Sequence, residues 1–178
     1  MIGPAVLRGI RVLEQGTFIT GPCAGMMLAD LGADVIKVES PDGDPYRAYQ
    51  EGQYSPHFQA YNRNKRSLCL DLKQGGDREL FNELVREADV YIQNFRPGTA
   101  ERLGASAEEL QRINPRLVYC SISGFGSSGP YVDRPSYDSV AQALSGFLSV
   151  VVDPERPRFL GPALADAITG IYAAYGVL

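Results

Sequence analysis

The chain is poor in metal-binding and redox chemistry. It carries one histidine, His57, and three cysteines, Cys23, Cys69 and Cys120, in 178 residues. No two cysteines form a CxxC pair, so the ligands of a zinc site cannot be assembled from this set. An odd count with no bridging pattern reads as reduced thiols. Cys69 and Cys120 fall in strand-like apolar runs and are expected to be buried as small hydrophobes. A surplus of positive charge is also missing. The formal net charge is -4, the wrong sign for general affinity toward nucleic acid, whose phosphates call for a basic surface. A local basic pocket for a phosphorylated small molecule stays open. No run reaches the ~18–20 apolar residues of a membrane span. The opening residues 1–8 lack the basic and apolar regions of a signal peptide. A cytoplasmic soluble protein with no metal, no nucleic acid and no membrane partner is therefore expected.

Hydrophobic residues make up 44% and charged residues 21%, which suits one domain with a real core. Apolar runs rich in β-branched residues fall at residues 9–14, 34–39, 67–72, 88–92 and 117–122 and predict strands. Helices are predicted over 22–31, 77–87, 106–113, 138–151 and 163–178. Pro22 suits a first turn and Gly32 a stop. Ser106 with Glu109 three residues on forms a capping box. This alternation predicts a doubly wound, mostly parallel α/β sheet, in which ligands bind at the carboxyl ends of the strands. Residues 41–64 have little periodicity and are long for a plain connection, so they are expected to be functional or partner-contacting. The last segment, from Asp166 to Leu178, is apolar with no stop signal, and the expectation is a fragment of a longer chain.

Five constellations could carry chemistry. Gly16-Thr17-Phe18-Ile19-Thr20-Gly21-Pro22 follows a strand and opens a helix, so it either faces an anion with free N–H groups or merely packs. It matches neither GxGxxG nor the GxxxxGK(S/T) P-loop. Asn62-Arg63-Asn64-Lys65-Arg66-Ser67 is either a solvated loop or a phosphate contact. Asn94-Phe95-Arg96-Pro97-Gly98, with Arg102 downstream, is a surface turn or a ligand-edge loop; arginine's planar fork suits phosphate. The loop at residues 121–130, rich in serine and glycine, would let a backbone approach a ligand closely. A serine nucleophile there would need a base, with His57 the sole candidate, and G-x-S-x-G is missing. Asp166 stands among small apolar residues at a helix start, as a dipole partner or cap, or as a carboxylate nucleophile.

In order and together, these segments resemble the class III CoA-transferase family, also called CaiB/BaiF. The matching stretches are Thr20-Gly21-Pro22, residues 28–39, residues 62–67, Leu70-Asp71-Leu72-Lys73, Ala88-Asp89-Val90, residues 94–98, Asn114-Pro115-Arg116-Leu117, residues 121–126, and Ala165-Asp166 with Gly170. The match runs from about Leu7 to the end. The resemblance implies a Rossmann-like amino-terminal CoA-binding domain over residues 1–178, incomplete without a carboxyl-terminal half. It implies that Asp166 is the nucleophile and that CoA moves from an acyl-CoA to a carboxylic acid through aspartyl anhydride and aspartyl-CoA intermediates. Coenzyme A is a substrate in such enzymes. Its contacts fall on Ile19, Thr20, Leu70, Asp71, Leu72, Lys73, Asn94, Phe95, Arg96, Arg102, Ser123, Gly124, Phe125 and Gly126. The family's basic residue after the second strand is Ser40 here. The family forms interlocked homodimers. It also holds α-methylacyl-CoA racemases, which place a histidine where this chain has Tyr137; transfer is therefore preferred. A non-catalytic CoA-binding fragment is a further reading.

Overall fold

Five short strands pair as one sheet in the computed structural model, which describes residues 5–49, 55–158 and 161–178. They are β1 (Arg11–Glu14), β2 (Asp34–Glu39), β3 (Lys65–Cys69), β4 (Val90–Gln93) and β5 (Val118–Ser121). All four pairings are parallel, in the order β3-β2-β1-β4-β5. Among the described residues eight helices surround them: α1 (Thr20–Asp30), α2 (Pro56–Asn62), α3 (Gly75–Glu87), α4 (Thr99–Arg102), α5 (Ala107–Ile113), α6 (Asp138–Leu144), α7 (Phe147–Val151) and α8 (Leu164–Val177). A 3-10 turn spans Pro45–Ala48.

Strand alternation sorts the core into two layers. Leu13, Ile36, Val38 and Tyr91 pack with Phe81 and Val85 of α3 and Leu110 of α5. Their neighbours Val12, Val35, Val90 and Ile92 pack with Ala24 and Leu28 of α1 and Ala174 of α8. Strands covered on both faces read as nearly continuous apolar runs, which is why the central ones are plain in the sequence. Each fully buried large side chain contributes about 1.5–3 kcal/mol. The crossover from β1 to β2 lays α1 on one face, and the crossover from β3 to β4 lays α3 on the other. The carboxyl ends of the adjacent strands β1 and β4 therefore border the crevice where such sheets bind ligands.

Several local expectations need correction. The helix expected over 138–151 is two helices, because Gly146 adopts φ 82° and breaks it into α6 and α7. β3 starts at Lys65 rather than Ser67, so part of the cationic run is strand. Cys69 is exposed, since β3 is an outer strand, while Cys120 is half-buried and Cys23 buried. Within 41–64 lie the 3-10 turn and α2, capped by the Asp44 and Ser55 side chains respectively. Helix α4 is not signalled by the sequence pattern. The capping box of Ser106 and Glu109 is present. Among the described residues no helix is long and apolar enough to cross a membrane.

Helix α8 lies directly on α1. A Cβ at Gly170 would fall 2.6 Å from Cys23 Cβ and 2.9 Å from Thr20 O, so only glycine allows this approach. That contact carries Asp166 to the crevice side of α1.

Candidate functional site

The loop from Gly16 to Ile19 leaves β1 at the crevice and enters α1. Asn94, just after β4, clasps it. Its Oδ1 accepts from Thr17 N at 2.9 Å, and its Nδ2 donates to Thr17 O and to Thr20 Oγ1 at 2.8 Å each. Phe18 sits at φ 60°, a left-handed conformation that costs a non-glycine residue about 1–3 kcal/mol. Its neighbours hold it there: Phe18 N donates to Asp44 Oδ1 at 3.2 Å, and its ring meets Tyr46 edge-on at 5.2 Å. Among the described residues no side chain caps α1 at Ile19. Pro22 has no N–H and Cys23 N donates to Ile19 O at 2.7 Å, so the Thr20 and Gly21 amides and the positive end of the dipole are what α1 can offer an anion.

A buried charge cluster supports this loop from below. Lys37 Nζ lies 2.8 Å from Gly16 O, 3.0 Å from Asp44 Oδ2 and 3.5 Å from Glu14 Oε2. Lys65 Nζ lies 3.0 Å from Glu14 Oε2 and donates to Pro22 O and Asn62 Oδ1 at 2.8 Å each. Glu14 Oε1 accepts from Gly16 N at 2.6 Å. Two cations thus meet two carboxylates. Burial by itself would raise the Glu14 carboxyl, but Lys37 and Lys65 outweigh it and hold it below its ordinary value. Such a cluster is weak evidence for stability, because desolvation offsets much of the attraction. What it does securely is fix where the main chain of the β1–α1 loop can run. Beside it, Arg47 pairs with Glu39 through two bonds, at 2.8 and 2.7 Å. Burial would raise Glu39, yet the bonds from Arg47 and Ser67 draw it down to about 2.

Asp166 stands in the first turn of α8. A carboxylate placed there for the helix dipole would titrate low. Asp166 instead titrates at about 6, because burial and then the nearby Asp138 charge both penalise its ionised form. No hydrogen bond to its carboxylate occurs among the described residues. Asp138, the first residue of α6, accepts the Asp166 main-chain N–H on Oδ1 at 3.2 Å. Cys23 Sγ lies 4.0 Å from Ala167 O. Burial raises the hydroxyls of Tyr46 and Tyr61, and the Asp166 charge adds to both. Asp166 is thus a half-buried carboxyl with neutral tyrosines and a neutral thiol nearby, a setting that penalises its ionised form.

Of the other residues singled out from the sequence, those at 70–73, 94–96 and 123–126 follow the carboxyl ends of β3, β4 and β5. Ile19, Thr20 and Asn94 come together at the crevice. Leu70 and Leu72 turn their side chains into the core, so only their main chain is offered. Asp71 Oδ1 accepts from Lys73 N at 3.1 Å, and Lys73 is exposed. Phe95 N donates to Gln93 Oε1 at 2.6 Å. Arg96 is exposed, as is Arg102, which donates to Thr99 Oγ1 at 2.7 Å. Ser123, Gly124 and Gly126 are exposed after β5, and Phe125 packs edge-on against Tyr131 at 5.6 Å. Ser40 and Tyr137 are exposed. The cationic run is occupied structurally: Arg63 pairs with Asp30, Arg66 with Asp34 and Lys65 with Glu14. His57 packs between Tyr46 and Tyr49, at 5.4 and 4.8 Å.

Sequence reasoning misses Asp138 as the partner of Asp166, and it misses Tyr46, Tyr61 and the Glu14–Lys37–Asp44 cluster. The one signal for any of them is the aperiodic stretch 41–64, which contains both tyrosines. Among the described residues no group of three or more His, Cys, Asp or Glu could hold a metal ion. A hollow lined by Arg78, Asn82, Gly104, Glu109 and Arg112 lies by α3 and α5, on the other face from Asp166.

Comparison with known proteins shows the family to which the chain is related. Residues 7–178 match the model of CoA-transferase family III. The succinate–glutarate CoA-transferase of Agrobacterium fabrum is 44% identical over 96% of this chain and 46% of its own length. The acetyl-CoA:oxalate CoA-transferase of Acetobacter aceti is 44% identical over 95% of this chain and 45% of its own. A solved CaiB/BaiF family protein from Brucella suis superposes with a TM-score of 0.91 at 44% identity, covering 96% of this chain and 47% of that one. The chain spans about half the length of the curated relatives it matches.

Proposed function

The chain belongs to CoA-transferase family III, and on that premise we propose that it is the CoA-binding part of an enzyme that moves CoA from an acyl-CoA to a carboxylic acid, with Asp166 as nucleophile. The observation that carries the reading is the Asp166 carboxyl itself: half-buried, beside a second carboxylate, titrating at about 6 and therefore ionised yet poorly solvated at neutral pH. Relatives at 37–44% identity are named as CoA-transferases. Several of their names carry dicarboxylic acids, oxalate and succinate among them, and a short-chain acid of that kind is the acceptor class we favour.

The chemistry runs as two linked exchanges. An Asp166 carboxylate oxygen attacks the thioester carbonyl, the C–S bond breaks, and CoA leaves as thiolate, giving a mixed anhydride. The thiolate attacks the aspartyl carbonyl and releases the donor acid, leaving an aspartyl-CoA thioester. The acceptor carboxylate attacks that thioester, the C–S bond breaks, CoA leaves again as thiolate, and a second anhydride forms. CoA thiolate then attacks its acyl carbon, yielding the new acyl-CoA and free Asp166. Holding the activated acyl group covalently protects it from water. In this reading the pyrophosphate and pantetheine of CoA lie along the crevice edge, over the open end of α1 and the loops carrying Asn94 to Arg96, Lys73, Arg102 and Ser123 to Gly126.

Val150 on α7 and Tyr172 and Tyr175 on α8 are 70–84% exposed. An apolar surface of this kind supports a covering by further chain or a second copy, in keeping with the interlocked homodimer implied by the resemblance. The test is hydroxylamine trapping of full-length protein with acyl-CoA, followed by peptide mass spectrometry. The expected product is a hydroxamate on Asp166. A hydroxamate on any other residue, or none with turnover intact, would remove Asp166 from the role.

A further inference from the structure

Two carboxylates meet where two helices begin. Asp138 opens α6, and Asp166 lies in the first turn of α8. Asp138 Oδ1 accepts the Asp166 N–H at 3.2 Å, and its Oδ2 accepts from the Gln142 side-chain amide one turn further along α6. Gln142 is 3% exposed, and its Oε1 has no hydrogen-bond partner among the described residues. Leaving a buried acceptor unpaired is unfavourable. The amide keeps this orientation because turning over would point Oε1 at a charged carboxylate. Its donor is thus committed to Asp138.

We propose that Asp138 is a positioning residue for the transfer reaction: clamped by Gln142, it fixes the main chain at Asp166 and holds a second negative charge behind the nucleophile. The proposal rests on the reading of Asp166 as nucleophile. The titratable groups that act on or adjoin Asp166 are Asp138 from α6, Tyr46 from the 3-10 turn, Tyr61 from α2 and Cys23 from α1, whose Sγ lies 4.0 Å from the neighbouring Ala167 O. Burial raises both tyrosines and the thiol, so they stay neutral at pH 7. Among the described residues the charge acting on Asp166 is therefore that of Asp138.

The direction of the effect follows from where charge moves. When the Asp166 oxygen bonds to the thioester carbon and the C–S bond breaks, the electron pair leaves with CoA sulfur. Negative charge departs from beside Asp138, and like-charge repulsion is relieved. Asp138 thus makes Asp166 more basic and a better attacking group, and it favours the acylated enzyme. The return of a free carboxylate in the last step works against the same repulsion.

The experiment compares wild type with Asp138→Asn in full-length protein, by rapid quench of Asp166 acylation and by the pH profile of kcat/KM. Asparagine keeps an oxygen for the Asp166 N–H. Its Nδ2 can donate to Gln142 Oε1 once that amide turns over, so the substitution removes charge with little loss of contacts. The acylation rate is expected to fall on the order of tenfold, with KM for acyl-CoA moving less than about twofold, and the acidic limb to shift to lower pH. Asp138→Glu should restore the limb. Asp138→Ser, a second neutral acceptor, should behave like Asp138→Asn and serves if that variant folds poorly. An Asp166 adduct formed at the wild-type rate with an unmoved acidic limb in either neutral variant overturns the role of Asp138 while leaving Asp166 as nucleophile. Absence of any Asp166 adduct in wild type overturns both.

Discussion

Lys65 Nζ lies 3.0 Å from Glu14 Oε2, although β2 separates the strands that carry them. The contact reaches across the α1 side of the sheet above Lys37 and shuts the charge cluster from solvent; the Lys65 side chain is 2% exposed and Glu14 is fully buried. Burial pushes the Lys65 ammonium down, and Glu14 pulls it back. Removing Lys65 would leave the Glu14 carboxylate with the Gly16 amide and, as its cation among the described residues, Lys37 at 3.5 Å. Lys65→Met is expected to destabilise the protein by about 3–5 kcal/mol, the usual cost of breaking one side of a buried pair. Urea unfolding measures it. A loss under about 1 kcal/mol would mean that water reaches the cluster.

Asn94→Ala removes three hydrogen bonds from the β1–α1 loop at once. Stability should drop by about 1–3 kcal/mol. If the crevice binds CoA, calorimetry should show its dissociation constant rising on the order of tenfold, since a loosened loop must be ordered by the ligand. An unchanged constant would place CoA elsewhere.

Gly170→Ala puts a methyl group where Cys23 Cβ stands 2.6 Å away. Neither neighbour is a flexible chain end, so α8 must move off α1. The expected destabilisation is about 1–3 kcal/mol. Because Asp166 sits one turn away on the same helix, kcat should fall more than the lost stability explains. Cys23→Ser paired with Gly170→Ala tests this, as it keeps the crowding and should rescue neither.

Activity should rise with pH through about 6, where Asp166 becomes ionised. The sign for stability is the reverse of a paired carboxylate. The folded state binds the Asp166 proton more tightly than the unfolded chain, whose aspartate titrates near 3.8. The stability that protonation contributes is therefore complete below 3.8 and is lost as pH rises through about 6, above which the ionised form is a burden. Asp166→Asn should abolish transfer yet raise stability at pH 7–8 by up to about 1 kcal/mol, screening included.

Glu39 behaves oppositely. Drawn from 4.5 to about 2 in the folded state, it contributes stability that is complete above 4.5 and lost as pH falls toward 2. Glu39→Gln should flatten the acid limb of the stability profile across that window. A profile identical to wild type would show that the Arg47 pair is solvated.

Much of the architecture is legible in the order of residues alone. β1, β2 and β4 are covered on both faces, and their composition announces them. Ser106 and Glu109 announce α5. The start of β3 is hidden because an outer strand exposes one side, so Lys65, Arg66 and Ser67 look like loop residues. The helices α6 and α7 read as one because apolar spacing continues through Gly146, and only the left-handed backbone stops it. The position of Asp166 is legible by its family resemblance, but its state is not. Local sequence leaves Asp166 as a helix-start cap or a nucleophile, whereas burial and the nearby Asp138 raise its carboxyl to about 6.

The linear order of apolar runs, caps and motifs by itself determined a parallel α/β sheet and the family to which the chain belongs. These are properties of local periodicity and of residues close together along the chain. Tertiary structure alone decided which charges pair and which carboxyl is raised by burial. Lys65 meets Glu14 across 51 positions and Asp138 meets Asp166 across 28. The strength of such contacts depends on distance and on exclusion of water, and neither quantity is written in the spacing of a sequence.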